Sequence, residues 1–184
     1  MMINYIRSIY RKLFPVKFCL KGKKVWYGIN CTFVSPEMIE IGNNVSIGSG
    51  ATFFSISKKI IIKDNVIIAP NVTMVSGDHN IRKIGIPIID NHEKDEQDDA
   101  DIVIGEDVWI GANVTILKGV SIGRGAVIGA CALIIKNIPS YSVAGGVPAK
   151  IIGQRFTKQQ VIEHEKILYS DDKRIKITDL THLT

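Results

Sequence analysis

The sequence predicts an all-β solenoid, a parallel helix of six-residue repeats with one protruding loop and a short helix at each end. Three observations predict it. From Ile104 the chain reads IGEDVW, IGANVT, ILKGVS, IGRGAV, IGACAL and IIKNIP, in one unbroken frame. The same pattern appears earlier, as IGNNVS at 41, IGSGAT at 47, IKDNVI at 62 and IAPNVT at 68. A period of six matches neither the 3.6-residue recurrence of a surface helix nor the heptad of a coiled coil.

A short strand followed by a turn, repeated, does have this period. The first position of each hexad is Ile104, Ile110, Ile116, Ile122, Ile128 and Ile134. The fifth is Val108, Val114, Val120, Ala126, Ala132 and Ile138. Both sets are predicted to face the core. Small residues at the second position, such as Gly42, Gly48, Gly105 and Gly111, let the backbone bend at a corner. Asn, Asp and Gly in mid-hexad tolerate left-handed dihedrals. Three hexads close one triangular coil of about 18 residues, and successive coils pair strand on strand. Phe53, Ile56 and neighbouring lysines interrupt the frame between the second and third coils. A β-sandwich of many short strands does not account for strict hexads.

Composition sets the outer bounds. The chain has 184 residues, 46% of them hydrophobic, and a net charge of +5. That suits one folded domain. The basic excess is local. Residues 1–24 carry seven bases and no acid, and residues 90–101 carry seven acids and one base. No basic stripe runs along the chain, which argues against a nucleic-acid partner. The three cysteines (Cys19, Cys31, Cys131) form no CxxC pair. They predict neither a disulfide framework nor a cysteine-based metal site, and point to a reduced, cytoplasmic compartment.

Three segments follow: a cap over 1–24, the coil over 25–153 with a loop at 80–101, and a helix and tail over 154–184. Residues 2–14 read as an amphipathic helix, with Ile6, Ile9, Tyr10, Leu13 and Phe14 on one side and Pro15 ending it. It is expected to cap the first coil, to touch an anionic membrane or a lipid-linked acceptor at the inner face, or to do both. Arg7, Arg11 and Lys12 interrupt what a signal peptide would keep apolar. No apolar run is long enough to span a bilayer. A second helix is predicted from Lys158 to about Tyr169, with Thr157 and Gln160 as a capping box. Val161, Ile162, Glu165 and Leu168 form its packing side. Residues 170–184 look polar and frayed, except that 175–177 (IKI) suits an outer strand.

The hexads, with VWIGANVTILKGVSIG and AGGVPAK, resemble the hexapeptide-repeat acyltransferases. The resemblance covers residues 25–153 and implies a left-handed parallel β-helix, an exception to the right-handed crossover rule. It also implies acetyl-coenzyme A as acyl donor, and a homotrimer with active sites between subunits. Residues 71–79 resemble the galactoside and maltose acetyltransferase pattern, in which the histidine is the general base. That role falls on His79, a residue type able to accept a proton near neutral pH.

Other roles follow from the resemblance. Asp78 is a candidate to orient His79, although its fifth hexad position predicts an inward side chain. Asn80 and His92 are candidate acceptor contacts. Trp109 would wall the cleft beside the histidine of a neighbouring subunit. Ala112, Gly129, Ala130, Ala144 and Gly145 would let the pantetheine arm lie close to backbone. Lys150 and Arg155 would face the coenzyme A phosphates. Asn71 reads as a corner residue. The acids of the loop (Glu93, Asp95, Glu96, Asp98, Asp99) read mostly as surface charge. His164 is expected on a helix surface and His182 near a frayed end. His79 is the coil's single histidine, which excludes the three-histidine zinc site of the family's hydratases, so no metal is expected. No Walker loop is present.

Gly48–Phe53 lacks the asparagine that binds acceptor in galactoside-type enzymes. That departure argues against a simple free galactoside or maltose, while the basic amphipathic N-terminus, and the likeness of the acidic loop and the RFTKQQ…HEKILY segment to polysaccharide-modifying members, favour a carbohydrate hydroxyl of a surface polysaccharide or its precursor. The alternatives are N-acetylation of a nucleotide-linked amino sugar and a non-catalytic scaffold.

Overall fold

The computed structural model describes residues 16–183. The helix expected over 2–14, with most of the 1–24 cap, lies outside the described residues. The first coil comprises β1 (Leu20–Lys21), β2 (Val25–Tyr27) and β3 (Thr32–Val34). The second comprises β4 (Ile39–Ile41), β5 (Val45–Ile47) and β6 (Thr52–Phe54), and the third β7 (Ile60–Ile62), β8 (Ile67–Ile68) and β9 (Thr73–Val75). After the loop come β10 (Ile102–Ile104), β11 (Trp109–Ile110) and β12 (Thr115–Leu117), then β13 (Ser121–Ile122), β14 (Val127–Ile128) and β15 (Leu133–Ile134). The hairpin β16 (Ser142–Gly146) and β17 (Ala149–Gln154) closes the stack, and α1 (Lys158–Leu168) follows. The stack thus begins at Leu20, ahead of residue 25.

Each coil places one strand on each of three sheets, giving a left-handed parallel β-helix. Sheet 1 is β1-β4-β7-β10-β13, sheet 2 runs from β2 through β5, β8, β11, β14 and β16 to β17, and sheet 3 is β3-β6-β9-β12-β15. Among the named strands every pairing is parallel except the terminal hairpin. The register stacks identical hexad positions. Ile47, Ile68, Ile110 and Ile128 form one inward column, and Phe53, Met74, Ile116 and Ile134 another. All are buried in one core. Each such side chain contributes about 1.5–3 kcal/mol of burial.

Between the coils β10–β12 and β13–β15, partners such as Trp109 and Val127 lie eighteen residues apart. The earlier coils are longer, because a 3₁₀ turn at Pro36–Met38 and the stretch between β6 and β7 widen one corner. The other two corners are columns of left-handed residues. Asn44, Asn65, Asp107, Gly125 and Tyr141 occupy one, and Asn30, Gly50, Asn71, Asn113 and Cys131 the other. Asn71, with φ 60°, is a corner residue as its position predicts.

Outside the coil a second cluster forms from Tyr141, Val161, Leu180 and Leu183, with Phe156 and Ile175 against it. It corrects several expectations. The tail packs rather than frays, because Leu180 and Leu183 fill the space beside α1. Residues 175–177 make no outer strand, and Ile177–Leu180 is a 3₁₀ turn instead. The capping box at Thr157 and Gln160 does form. On α1, however, Leu168 is exposed and Glu165 is buried. Glu165 accepts from the Tyr141 hydroxyl, from Arg124 Nη1 at 2.9 Å and from the Ile175 N–H at 3.0 Å. Burial, and then the bond to Glu165, push the Tyr141 hydroxyl far up, so it stays a neutral donor. His164 is no free surface group. It packs edge-on against Tyr141, and its Nε2 lies 3.3 Å from Asp107 Oδ2. His182 Nε2 lies 2.7 Å from the Ser140 carbonyl. Gly125 must be glycine here, since a Cβ would stand 2.4 Å from the Tyr141 ring.

Candidate active site

His79 follows β9, where the chain turns from sheet 3 toward sheet 1 and leaves the coil. Ser76, just before it, is buried, and its hydroxyl donates to the carbonyls of Phe54 and Lys58. Gly77 then bridges to Asp99 on the returning strand, where a Cβ would stand 2.3 Å from the Asp99 carboxylate. His79 itself is exposed. Among the described residues no hydrogen bond holds its ring.

Asp78 does not face inward. Its carboxylate is about half exposed and pairs with Lys118 at 3.0 Å. The chain has already left the coil at Gly77, so the hexad position no longer sets direction. In this chain the carboxylate faces Lys118, with no bond to the His79 ring. Asn80 is buried, and its Oδ1 accepts from the Arg82 N–H at 3.0 Å. Its carbonyl accepts from Asn91 Nδ2 at 2.9 Å. It closes the base of the loop. His92 is exposed on the loop.

Most of the acidic run is surface charge, with Glu93, Asp95 and Glu96 exposed, but two of its acids are not. Asp98 and Asp99 are buried. Asp98 binds Arg82 and accepts from the Asp95 N–H at 2.7 Å. That backbone bond, working against burial and joined by Arg82 and Lys118, holds its carboxyl below the ordinary range. Burial opposes ionisation of Asp99, but Ser57 and Lys94 outweigh it, and its carboxyl is also lowered. Both groups therefore stabilise the loop base at neutral pH, and this contribution is lost as pH falls through their folded-state values.

Trp109 lies on sheet 2 with its ring outward and 53% exposed. Its column holds Ile67 and Val127. β11 ends at the corner between sheets 2 and 3, where Ala112, Gly129 and Ala130 stack. Gly129 N–H donates to the Ala144 carbonyl and Cys131 N–H to that of Ala112, each at 2.8 Å. Gly111 shows how close these coils lie, since its Cβ would stand 2.6 Å from Ala130 N. Ala144 offers only its main chain at this surface. Its side chain is buried in the core, because β16 continues the inward column above Ile128. Gly145 pairs with Lys150 across the hairpin, and Lys150 is exposed.

Arg155 is engaged within the chain. Its Nη1 lies 2.7 Å from Asp107 Oδ2, and its guanidinium covers the Phe156 ring at 4.7 Å. It anchors the corner that leads into β11, and its charge is already paired. Lys118, Lys94, Asp98 and Asp99, which fasten the loop, were not singled out from sequence as site residues. An outward lysine after Leu117 and an acidic run carry no distinguishing local pattern.

One chain does not gather these groups. His79 is at the corner between sheets 3 and 1, Trp109 is on sheet 2, and the small residues are at the corner between sheets 2 and 3. An apolar groove beside α1, lined by Ile162, Ile175 and Leu180, contains none of them. Among the described residues no group of three or more His, Cys, Asp or Glu could hold a metal ion. No described helix is long and apolar enough to cross a membrane.

Comparison with known proteins adds to this geometry. Residues 101–136 match the bacterial transferase hexapeptide model, and residues 38–74 match the hexapeptide repeat of succinyl-transferase. The chain is 34% identical over 163 residues to the galactoside O-acetyltransferase of Escherichia coli (strain K12), covering 86% of this chain and 72% of that protein. A solved galactoside acetyltransferase in complex with coenzyme A is 29% identical with a TM-score of 0.66, over 95% of this chain and 78% of that one. The polySia-specific acetyltransferase NeuO is 37% identical with a TM-score of 0.54, over 64% of this chain and 52% of that one.

Proposed function

The chain belongs to the hexapeptide-repeat acetyltransferase family related to the galactoside and maltose enzymes, and on that premise we propose that it O-acetylates a carbohydrate hydroxyl with His79 as general base. That acetyl-coenzyme A is the donor follows from family membership. The observation that carries the sharper reading is His79 itself. It is exposed on a corner whose backbone is tied to the rigid coil, as the last residue of the APNVT…GDH run.

In this mechanism His79 accepts the proton of an acceptor hydroxyl. The oxygen attacks the thioester carbonyl, and a backbone N–H stabilises the oxyanion. The C–S bond breaks, the proton passes from the imidazolium to the coenzyme A sulfur, and the sugar carries a new ester. Trp109 walls the cleft, and the backbone at Ala112, Gly129, Ala130 and Gly145 lines the pantetheine path. Ala144 contributes its main chain alone. The reading includes a homotrimer, because groups on separate corners of one coil come together when adjacent copies pack. It also includes a polysaccharide or its precursor as acceptor, supported by the likeness to the polySia-specific enzyme, and a cytoplasmic setting.

Transfer of labelled acetyl from acetyl-coenzyme A to simple sugars, nucleotide amino sugars and polymeric glycans tests this reading. A base-labile ester on a glycan hydroxyl is expected. A stable amide on an amino sugar would replace it with N-acetylation. Lys150→Ala is expected to weaken coenzyme A binding by about 1–3 kcal/mol through loss of a charge-assisted phosphate bond. Calorimetric titration reads this directly, and an unchanged affinity removes Lys150 from the site.

A further inference from the structure

His79 stands between two residues whose carbonyls are both held. On one side Asn91 Nδ2 reaches the Asn80 carbonyl at 2.9 Å. On the other, Lys94 Nζ donates to the Asp78 carbonyl and to Asp99 Oδ1 at 2.9 Å. The Asp78 N–H donates to the Asp98 carbonyl at 2.8 Å, which joins the outgoing and returning strands of the loop.

Lys118 completes this joint from the next coil. It directly follows β12, so it belongs to the rigid stack rather than to the loop. Its Nζ lies 3.0 Å from the Asp78 carboxylate, 2.8 Å from the Gln97 carbonyl and 2.9 Å from the Asp98 carbonyl. Three acceptors meet the three N–H donors of one ammonium. A lysine that only neutralised acids would not need two main-chain carbonyls. This arrangement fixes peptide planes.

Holding the Asp78 carbonyl fixes the peptide plane that enters His79, and holding the Asn80 carbonyl anchors the chain one peptide beyond it, so together they limit its backbone dihedrals and the direction of its Cα–Cβ bond. The ring has no bond of its own to do this. We propose that Lys118, assisted by Lys94, is a positioning residue for acetyl transfer, acting through the backbone that carries His79. The acidic loop thereby has a role: it supplies Lys94 itself and, at Gln97, Asp98 and Asp99, acceptors for Lys118 and Lys94. The inference rests on His79 being the base.

The test is a double-mutant cycle on the best saccharide acceptor of the wild type. Lys118→Met is expected to lower kcat about 10–10²-fold, the scale of a misplacement near 1 Å. Acetyl-coenzyme A affinity is expected to stay within about twofold, since no ligand contact is removed. Exchange of the Asp78 amide should quicken while β10–β15 stay protected. If Lys118 acts through His79, His79→Ala/Lys118→Met is no slower than His79→Ala. A wild-type kcat in Lys118→Met overturns the proposal, and so does a double variant showing the product of both losses. If Lys118→Met does not fold, Lys94→Met carries the same cycle. A wild-type rate in His79→Ala itself overturns the base assignment, and this inference with it, whatever Lys118→Met shows.

Discussion

Acetyl transfer by His79→Ala is expected to fall about 10²–10⁴-fold, the usual contribution of a positioned general base. The fold should be untouched. His79 is exposed, and among the described residues it makes no hydrogen bond whose loss would cost stability. Coenzyme A affinity should also hold, because in our reading the imidazole meets the acceptor and the thioester rather than the nucleotide. Initial rates with saturating donor, beside a thermal melt, separate these outcomes. A variant that keeps the wild-type rate on a sugar hydroxyl would show that the hydroxyl is activated elsewhere. One that keeps it on an amino sugar would fit an amine that enters the reaction already neutral.

Arg124→Met is expected to destabilise the C-terminal unit by about 3–5 kcal/mol, because it strands a buried carboxylate. Arg124 is the counter-charge of Glu165, whose side chain is 3% exposed. It also contacts Glu106 at 3.2 Å, donates to the Lys173 carbonyl at 2.9 Å and lies over the Tyr169 ring at 3.9 Å. Burial works against ionisation of Glu106, but its own backbone, Arg124 and Lys63 outweigh it and hold that carboxyl low. Solenoid layers couple chiefly to their neighbours, so the loss should be local. Amide exchange is expected to speed up over 158–183 while β10–β15 remain protected. Unchanged protection of α1 would show that the cluster around Tyr141 and Val161 suffices without the ion pair. Arg124→Met/Glu165→Leu should recover part of the loss, since it removes the stranded charge.

The Arg124–Glu165 pair and the lysine grip on the loop share one property. Neither has a periodic signature. Glu165 sits where α1 calls for an apolar residue, and sequence reading placed it on the packing side without its reason. That reason is Arg124, a mid-hexad residue 41 positions earlier. Arg155 shows the converse. A basic residue just after AGGVPAK is a natural phosphate partner by resemblance, yet Asp107, 48 positions away, already holds it. Asp98 and Asp99 look like solvated charge in a run of acids, and pairing with Arg82, Lys94 and Ser57 buries them instead.

The coil was determined by the sequence alone. Its information is local and repeated: an isoleucine every six residues, a small residue at the bend, and a residue tolerant of φ near 60° at the corner. Each repeat states the same instruction, so inward columns such as Ile110 on Ile128 follow from the pattern. The capping box of α1, the corner role of Asn71 and the departure of the chain near His79 were legible for the same reason. Tertiary structure alone decided the direction of Asp78, the burial of Ala144, the occupation of Asn80 and Arg155, and the hold of Lys118 on the loop. These depend on single long-range contacts, where a charge or carbonyl finds its partner only after the coils have stacked. A hydrophobic period specifies which way a side chain faces. It does not specify which of several distant polar groups will be within three ångströms when it gets there.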